Sequence, residues 1–332
     1  MTRVCIFGAG AVGSFMAAHL VRSGVAEVSV VARGEHLRAI RQDGIRLQSP
    51  QDSFEARPHA ATDQPSTLPP QDIVFVTLKA MAQSPCAADI AGLLDAGGHA
   101  VFAGNGIPWW WKHGSPQPAP LPLIDAGGAL WRQPGPARVL GCVIYSANEL
   151  VAPGVVRNSG NNRWLLGEPA GGVSERLIRT VDLMKQAGLG AEVSSDIRRD
   201  FWAKLLRNIT SNPLCALTRL PLDDMASEPE LMALAGRLLD EVTAVAQAHG
   251  CDIAAQATAT RESLRHGGGS ASAPFKGMKP SMLQDVLAGR PMEVEAILGQ
   301  VQLLARESAT PTTVLDMLLP LMRGMDRGIA LR

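Results

Sequence analysis

The sequence predicts a chain of two parts, an α/β domain built on a parallel sheet followed by an all-helical domain. Three observations predict it. The apolar run Val4, Cys5, Ile6 and Phe7 leaves no room for polar alternation and reads as a strand buried on both faces. Directly after it Gly8, Gly10 and Gly13 stand in a G-x-G-x-x-G spacing that opens into a helical pattern, SFMAAHLVRSG. Beyond Ser195 strand signals nearly vanish, so residues 1–195 and 196–332 are the expected domains.

The spacing of the glycines has a mechanical meaning. Gly8 permits a tight turn, Gly10 lets the backbone approach a pyrophosphate, and Gly13 lets the helix pack against the strand. With Ala9, Ala11 and Val12 between them, they aim the N–H groups of a helix start at the phosphates of a dinucleotide. Strand before and helix after make this a Rossmann-type unit rather than a plain glycine-rich turn. The run VSVVA then reads as the second strand, and twenty residues beyond Gly13 comes Arg33. An acidic residue there would accept from a ribose 2′-hydroxyl, whereas Arg clamps a 2′-phosphate, which favours NADP(H) over NAD. The alternative is a solvated Arg opening the next helix.

Composition narrows the class. Lys plus Arg equals Asp plus Glu, 31 each, so no charge excess invites nucleic acid or an anionic membrane. The five cysteines form no C-x-x-C and the seven histidines no metal spacing, which suits a reduced, cytoplasmic protein without a metal. The first strand begins at once, leaving no room for a signal peptide, and no apolar run approaches the roughly twenty residues that span a bilayer.

Along the chain, residues 35–43 read as a short helix and 45–61 as a polar-interrupted pair of strands. DIVFVTLKA is another buried strand, ended by Lys79, and HAVFAGNG repeats the device with Asn105 just past its end. Ligands of an open parallel sheet bind outside the carboxyl ends of its strands, so Lys79 and Asn105 would face one crevice. Taken singly, Lys79 is equally a solvated helix start, and Asn105 with Gly106 an Asn-Gly turn. Trp109, Trp110 and Trp111 sit in a proline-rich segment that cannot be regular throughout. They read as an apolar wall near Asn105, or as cover for a flank or an oligomer contact, which leaves a homodimer open. Strands and a Pro-Gly turn follow, then the amphipathic helix 174–188 and a short strand AEVSS.

In the helical part, Lys204, Asn208, Ser211 and Asn212 recur at i, i+4, i+7 and i+8 on one face. Asn is a poor helix former, so two on one stripe ask for a reason beyond solvation. Residues 228–249 read as a long helix and 266–280 as a loop carrying Lys276 and Lys279. SMLQ at 281–284 matches a capping box, with Ser281 capping and Gln284 reaching back. Glu293 falls in the first turn of a further helix, where a carboxylate suits the dipole.

Five motifs in this order resemble the ketopantoate reductase family nearly end to end. They are GAGAVG at 8–13, VTLKA at 76–80, NG at 105–106, WAKLLRN at 202–208 with NPL at 212–214, and SMLQD at 281–285 followed by Glu293. The resemblance implies a Rossmann domain, a helical domain and an active site in the cleft between them. It implies NADPH-dependent reduction of the 2-keto acid ketopantoate to pantoate, on the way to pantothenate and coenzyme A. Carried over residue by residue, Lys204 is the general acid, a role that suits an ammonium beside an oxygen gaining charge. Asn105 touches nicotinamide and substrate; Lys79, Ala147 and Glu293 hold the cofactor; Asn208, Asn212 and Ser281 bind the substrate's carboxylate and hydroxyl. Two departures make the expected pocket more apolar: Pro108 and the tryptophans replace a frequent glycine, and Leu222 stands where some members have Asn. A larger apolar 2-keto acid is therefore one alternative. A β-hydroxyacid or opine-type dehydrogenase is another, and a non-catalytic NADP-binding sensor a third.

Overall fold

The computed structural model describes residues 1–50, 52–266 and 276–331. The chain divides into two compact units, Met1–Gly104 with Pro108–Ile197, and Asn105–Ile107 with Arg198–Arg332.

In the first unit β1 (Thr2–Phe7) leads through the glycine turn into α1 (Ala11–Ser23), which Gly24 ends in a left-handed conformation. There follow β2 (Ala26–Val31), α2 (Gly34–Asp43), β3 (Ile45–Gln48), β4 (Ser53–Ala56), β5 (Ala60–Thr62) and β6 (Gln71–Val76). Next come α3 (Ala87–Leu93), β7 (Leu94–Ala103), α4 (Ala129–Arg132), β8 (Val139–Tyr145), β9 (Asn148–Ala152) and β10 (Val155–Asn158). The unit closes with β11 (Arg163–Gly167), α5 (Glu175–Gln186) and β12 (Gly190–Val193).

Eight strands form the main sheet in the order β12-β11-β8-β7-β6-β1-β2-β5. From β8 through β5 the neighbours run parallel, and β11 pairs antiparallel with β8. The central strands are apolar on both faces because helices cover both: Val4, Cys5, Ile6, Val74, Phe75 and Val76 are fully buried. Strand order reverses between β1 and β6, the place where a doubly wound sheet opens a crevice.

A second sheet, β4-β3-β10-β9, packs over α1. The 45–61 region thus holds three strands rather than a pair. Residues of β3 and β4 make a hairpin, while β5 leaves it to pair in parallel with β2 at the main sheet's edge. The expected strand through Lys79 stops at Val76: the Thr77 N–H makes the last ladder bond, to Phe7, and its hydroxyl turns to the Gly8 carbonyl. All three indoles are buried in this unit. Trp109 meets Phe102 of β7 edge-on at 5.2 Å, and Gly141 of β8 leaves the space that the Trp110 ring fills.

The second unit is helical among the described residues: α6 (Ile197–Thr218), which begins at the junction, α7 (Leu222–Ala226), α8 (Pro229–Ala248), α9 (Ala254–Arg265), α10 (Ser281–Leu287), α11 (Gln300–Glu307) and α12 (Thr313–Ala330). A π-wound stretch, Glu295–Gly299, precedes α11. The Glu295 carboxylate, paired with Arg323 at 2.7 Å, lies where a side chain at Gly299 would stand. Of the 266–280 loop, residues 267–275 lie outside the described ones. Its far end is tied to α7: the Leu222 N–H donates to Met278 at 2.9 Å, and Asp223 accepts the Gly277 N–H at 3.0 Å.

The capping box at Ser281 does not form. Pro280, at φ −60° and ψ 158°, is the N-cap residue, and its carbonyl accepts the Gln284 N–H at 3.0 Å. Ser281 becomes the first helical residue, and the Gln284 side chain donates instead to the Lys279 carbonyl at 2.8 Å.

Candidate active site

The predicted residues fall into two groups, one in each unit. In the first, Gly8 turns the chain with φ +107°, and the N–H groups of Gly8 and Ala9 both donate to Val31 of β2, at 3.0 and 3.1 Å. A methyl at Gly13 would stand 2.4 Å from the Gly8 carbonyl oxygen and 2.5 Å from Thr77 Oγ1, so helix and strand touch there. Gly10 is the opposite case, with nothing within 4 Å of a methyl built on it. It is the N-cap residue of α1, and no side chain caps that helix. The first N–H groups of an α-helix have no partner within it, so those of Ala11, Val12 and Gly13 point out of an open, positively polarised end. This start fits a pyrophosphate: close-packed behind, at Gly13, and open in front, at Gly10.

Arg33 is the N-cap residue of α2, exposed just past the end of β2. It lies near Cys86: burial pushes that thiol's pKa up, and the Arg33 guanidinium pulls it back. Lys79 heads a short 3-10 turn, Ala80–Ala82, after β6, and the Gln83 side chain holds the adjacent Leu78 carbonyl at 2.9 Å. Ala147 is exposed beyond β8, its carbonyl accepting the Ser159 N–H at 3.0 Å. The glycine turn, Arg33 and Lys79 therefore follow the carboxyl ends of three neighbouring strands, β1, β2 and β6.

The second group is organised by Asn105. Its Nδ2 donates to Glu293 at 3.0 Å, and its Oδ1 accepts from Asn208 at 3.5 Å, so both ends of the amide are fixed. The backbone holds it from behind. The Ile107 N–H donates to the Ala296 carbonyl at 2.9 Å, and Gly106 lies so close that a methyl would be 2.3 Å from that oxygen. Gly106 also carries φ +79°, so glycine is required twice over. The chain bends at Asn105–Gly106, and the bend clamps the Asn onto the residues before α11. Glu293 is buried, and its carbonyl accepts the Ile297 N–H at 3.1 Å where the helix starts.

On α6, Lys204 stands one turn before Asn208 and two before the buried Asn212. Asn212 Nδ2 donates to Ser281 Oγ at 3.4 Å, so the Ser hydroxyl is turned to α6 and not to its own helix start. Ser211 is buried and gives its hydroxyl to the Arg207 carbonyl at 2.7 Å, a local bond that accounts for it without a ligand. Two contributors escaped sequence reasoning. Thr77 bonds the glycine turn through its side chain, and the Ala296 carbonyl acts only through backbone, which leaves no signature in residue type.

Comparisons with known proteins extend the picture. Residues 4–171 match the family model described as ketopantoate reductase PanE/ApbA, and residues 196–326 match the model of its C-terminal part. A 2-dehydropantoate 2-reductase of Mesorhizobium japonicum is 39% identical over 98% of this chain and 99% of its own. A crystal structure from Ralstonia solanacearum MolK2, provisionally assigned as a ketopantoate reductase, superposes with a TM-score of 0.88 at 34% identity, covering 99% of both chains. D-Mandelate dehydrogenase, solved with NADH, shares the fold at TM-score 0.82 and 19% identity, covering 99% of this chain and 100% of its own. The chain belongs to the ketopantoate reductase family.

Proposed function

We propose that the protein reduces ketopantoate to pantoate with NADPH, and so serves pantothenate and coenzyme A synthesis. The observation that carries this reading is the polar cluster on α6 and before α11, in which Asn105 is held by Glu293 and Asn208, with Lys204 one turn away from Asn208. The uncapped start of α1 and Arg33 support NADP(H) as the cofactor, through the pyrophosphate and the 2′-phosphate respectively. When bound, NADPH supplies the hydride.

The chain's own residues do the rest. The Lys204 ammonium stabilises the charge that grows on the 2-keto oxygen and gives it a proton, becoming the neutral amine. Asn208, Asn212 and Ser281 hold the substrate's carboxylate and hydroxyl. Asn105, its amide fixed at both ends, presents a defined dipole to nicotinamide and substrate, while Lys79, Ala147 and Glu293 hold the cofactor. A cytoplasmic place of action belongs to the same proposal. The five cysteines are buried, none in a disulfide, and no described helix is long and apolar enough to cross a membrane.

The family resemblance sets Leu222, buried at the head of α7, where some members carry Asn, and this favours a second substrate, a bulkier apolar 2-keto acid. The tryptophans no longer argue for it, since Trp109 and Trp110 pack against Phe102 and Gly141 in the first unit. NADPH consumption across a panel of 2-keto acids tests both. The proposal expects the highest kcat/KM with ketopantoate and pantoate as product. Reduction at another position, reductive amination, or bound NADPH without turnover would overturn it.

A further inference from the structure

His36 belongs to no motif and has no part in the chemistry above, yet three chain segments meet at its ring. It lies in the first turn of α2, three residues after Arg33. Its Nδ1 accepts the N–H of Gly154 at 2.9 Å, and its Nε2 lies 3.0 Å from the hydroxyl of Ser14. Ser14 is fully buried on α1, and its hydroxyl donates to the Ala9 carbonyl of the glycine turn at 3.1 Å. The proton of that hydroxyl is therefore spent on Ala9, so Ser14 accepts from His36. One protonation state satisfies every partner: neutral imidazole with its proton on Nε2.

We infer that His36 is a positioning residue for the dinucleotide. Through Ser14 it ties the pyrophosphate turn to the first turn of the helix that carries Arg33, and its ring must be neutral to do so. The inference rests on the dinucleotide reading of the first unit. Gly154 anchors the other side of the ring. With φ +76° it ends the β9–β10 turn, accepts the Arg46 N–H at 2.8 Å and leaves only 3.0 Å between a built methyl and Ala39 of α2. An imidazolium would aim a second N–H at the Gly154 N–H, two donors face to face, and α2 would part from the hairpin or from the turn.

The surroundings keep the ring neutral. Burial pushes its pKa below 6.5, and the Ala9 carbonyl pulls the other way. The charged groups of its own helix and its N-cap, Arg33, Glu35, Arg38, Arg41 and Asp43, are exposed. Those of the neighbouring elements are engaged elsewhere: His19 of α1 with the Ala187 carbonyl, Arg22 of α1 with Asp52, and Arg46 of β3 with Glu55. Glu149 of β9 and Arg157 of β10 stand opposite each other.

The test measures Kd for NADPH and for NADH between pH 7.5 and 5.5, by cofactor fluorescence, in wild type, His36→Gln and Ser14→Ala. NADH is needed because the 2′-phosphate of NADPH itself titrates near pH 6. The inference expects wild-type Kd for both cofactors to rise severalfold more on acidification than that of His36→Gln, which keeps a donor for Ser14 but has no titrating ring. Ser14→Ala should weaken binding at pH 7.5 and shrink the acid step. Equal pH responses in wild type and His36→Gln overturn the inference, even if the variant melts earlier. Absence of NADPH binding by wild type at pH 7.5 would instead sink the dinucleotide reading beneath it. Should His36→Gln not fold, NMR titration of the wild-type ring decides. By linkage, saturating NADPH must lower the His36 pKa by the logarithm of the factor by which protonation raises Kd. A His36 pKa unmoved by NADPH overturns the inference.

Discussion

Gly10→Ala separates the fold from the cofactor site. Nothing lies within 4 Å of the added methyl, and the backbone there, at φ −72° and ψ −163°, is open to alanine. The substitution therefore costs the fold nothing and can stabilise it by about 0.4–1 kcal/mol through the unfolded chain. The same methyl occupies the face by which a pyrophosphate would reach the N–H groups of Ala11 and Val12. Losing one hydrogen bond to a charged oxygen, at about 1.5–3 kcal/mol, weakens NADPH binding about 10- to 150-fold. Gly13→Ala is the contrast, because its methyl collides with the Gly8 carbonyl at 2.4 Å and Thr77 at 2.5 Å. Overpacking of that kind costs about 1–3 kcal/mol, a fall in Tm of about 2–12 °C. Thermal melts and fluorescence titrations on the two variants check both halves. Wild-type NADPH affinity in Gly10→Ala, or a larger loss of Tm there than in Gly13→Ala, would contradict a pyrophosphate seated at Gly10.

Further perturbations probe the remaining parts. Arg33→Gln removes the guanidinium proposed for the 2′-phosphate; Kd for NADPH should rise about 10- to 150-fold and Kd for NADH change less than about twofold, and equal losses would contradict that role. Gly106→Ala combines φ +79° with a 2.3 Å collision against the Ala296 carbonyl. Left-handed strain of about 1–2 kcal/mol adds to overpacking of about 1–3 kcal/mol, and the melt should shift down accordingly; an unchanged Tm would show that the clamp is not needed. His99, buried on β7, donates through Nε2 to Thr180 at 2.8 Å, because Thr180 gives its own proton to Arg176 at 2.7 Å. Burial, helped by Arg176, pushes its pKa from 6.5 down to about 4, against the pull of Glu168. The unfolded chain takes up this proton first, so stability is full above about pH 6.5 and about 3 kcal/mol is lost as pH falls through 4. His99→Gln keeps the donor and should flatten that part of the Tm profile; parallel profiles would discount His99.

Sequence carried most of the first unit because its signals are local. Gly8 and Gly13 are held by close contacts at the turn they join, Gly10 is left open in front of it, and buried strands such as Ile73–Val76 announce themselves by composition. Tertiary partners are silent. Nothing local says that Asn105 meets Glu293, 188 residues away, or that Gly106 answers to a carbonyl before α11. The reading of Ser281 as a cap failed because its neighbour Pro280 took that position, freeing the hydroxyl for Asn212. The hairpin at 45–56 and the strand at 60–62 go to different sheets, β3 pairing with β10 and β5 with β2, and such distant partners leave no local mark. The π-wound turns before α11 were equally hidden, since helical spacing cannot distinguish one added residue.

In the proposed reaction the Lys204 ammonium protonates the reduced keto oxygen. Stopped-flow consumption of NADPH with ketopantoate, in wild type and Lys204→Ala, tests it most directly, with NADPH affinity measured on the same samples. Unchanged NADPH binding and a kcat lower by about a hundredfold or more are expected in the variant. Turnover of Lys204→Ala at the wild-type rate would contradict it.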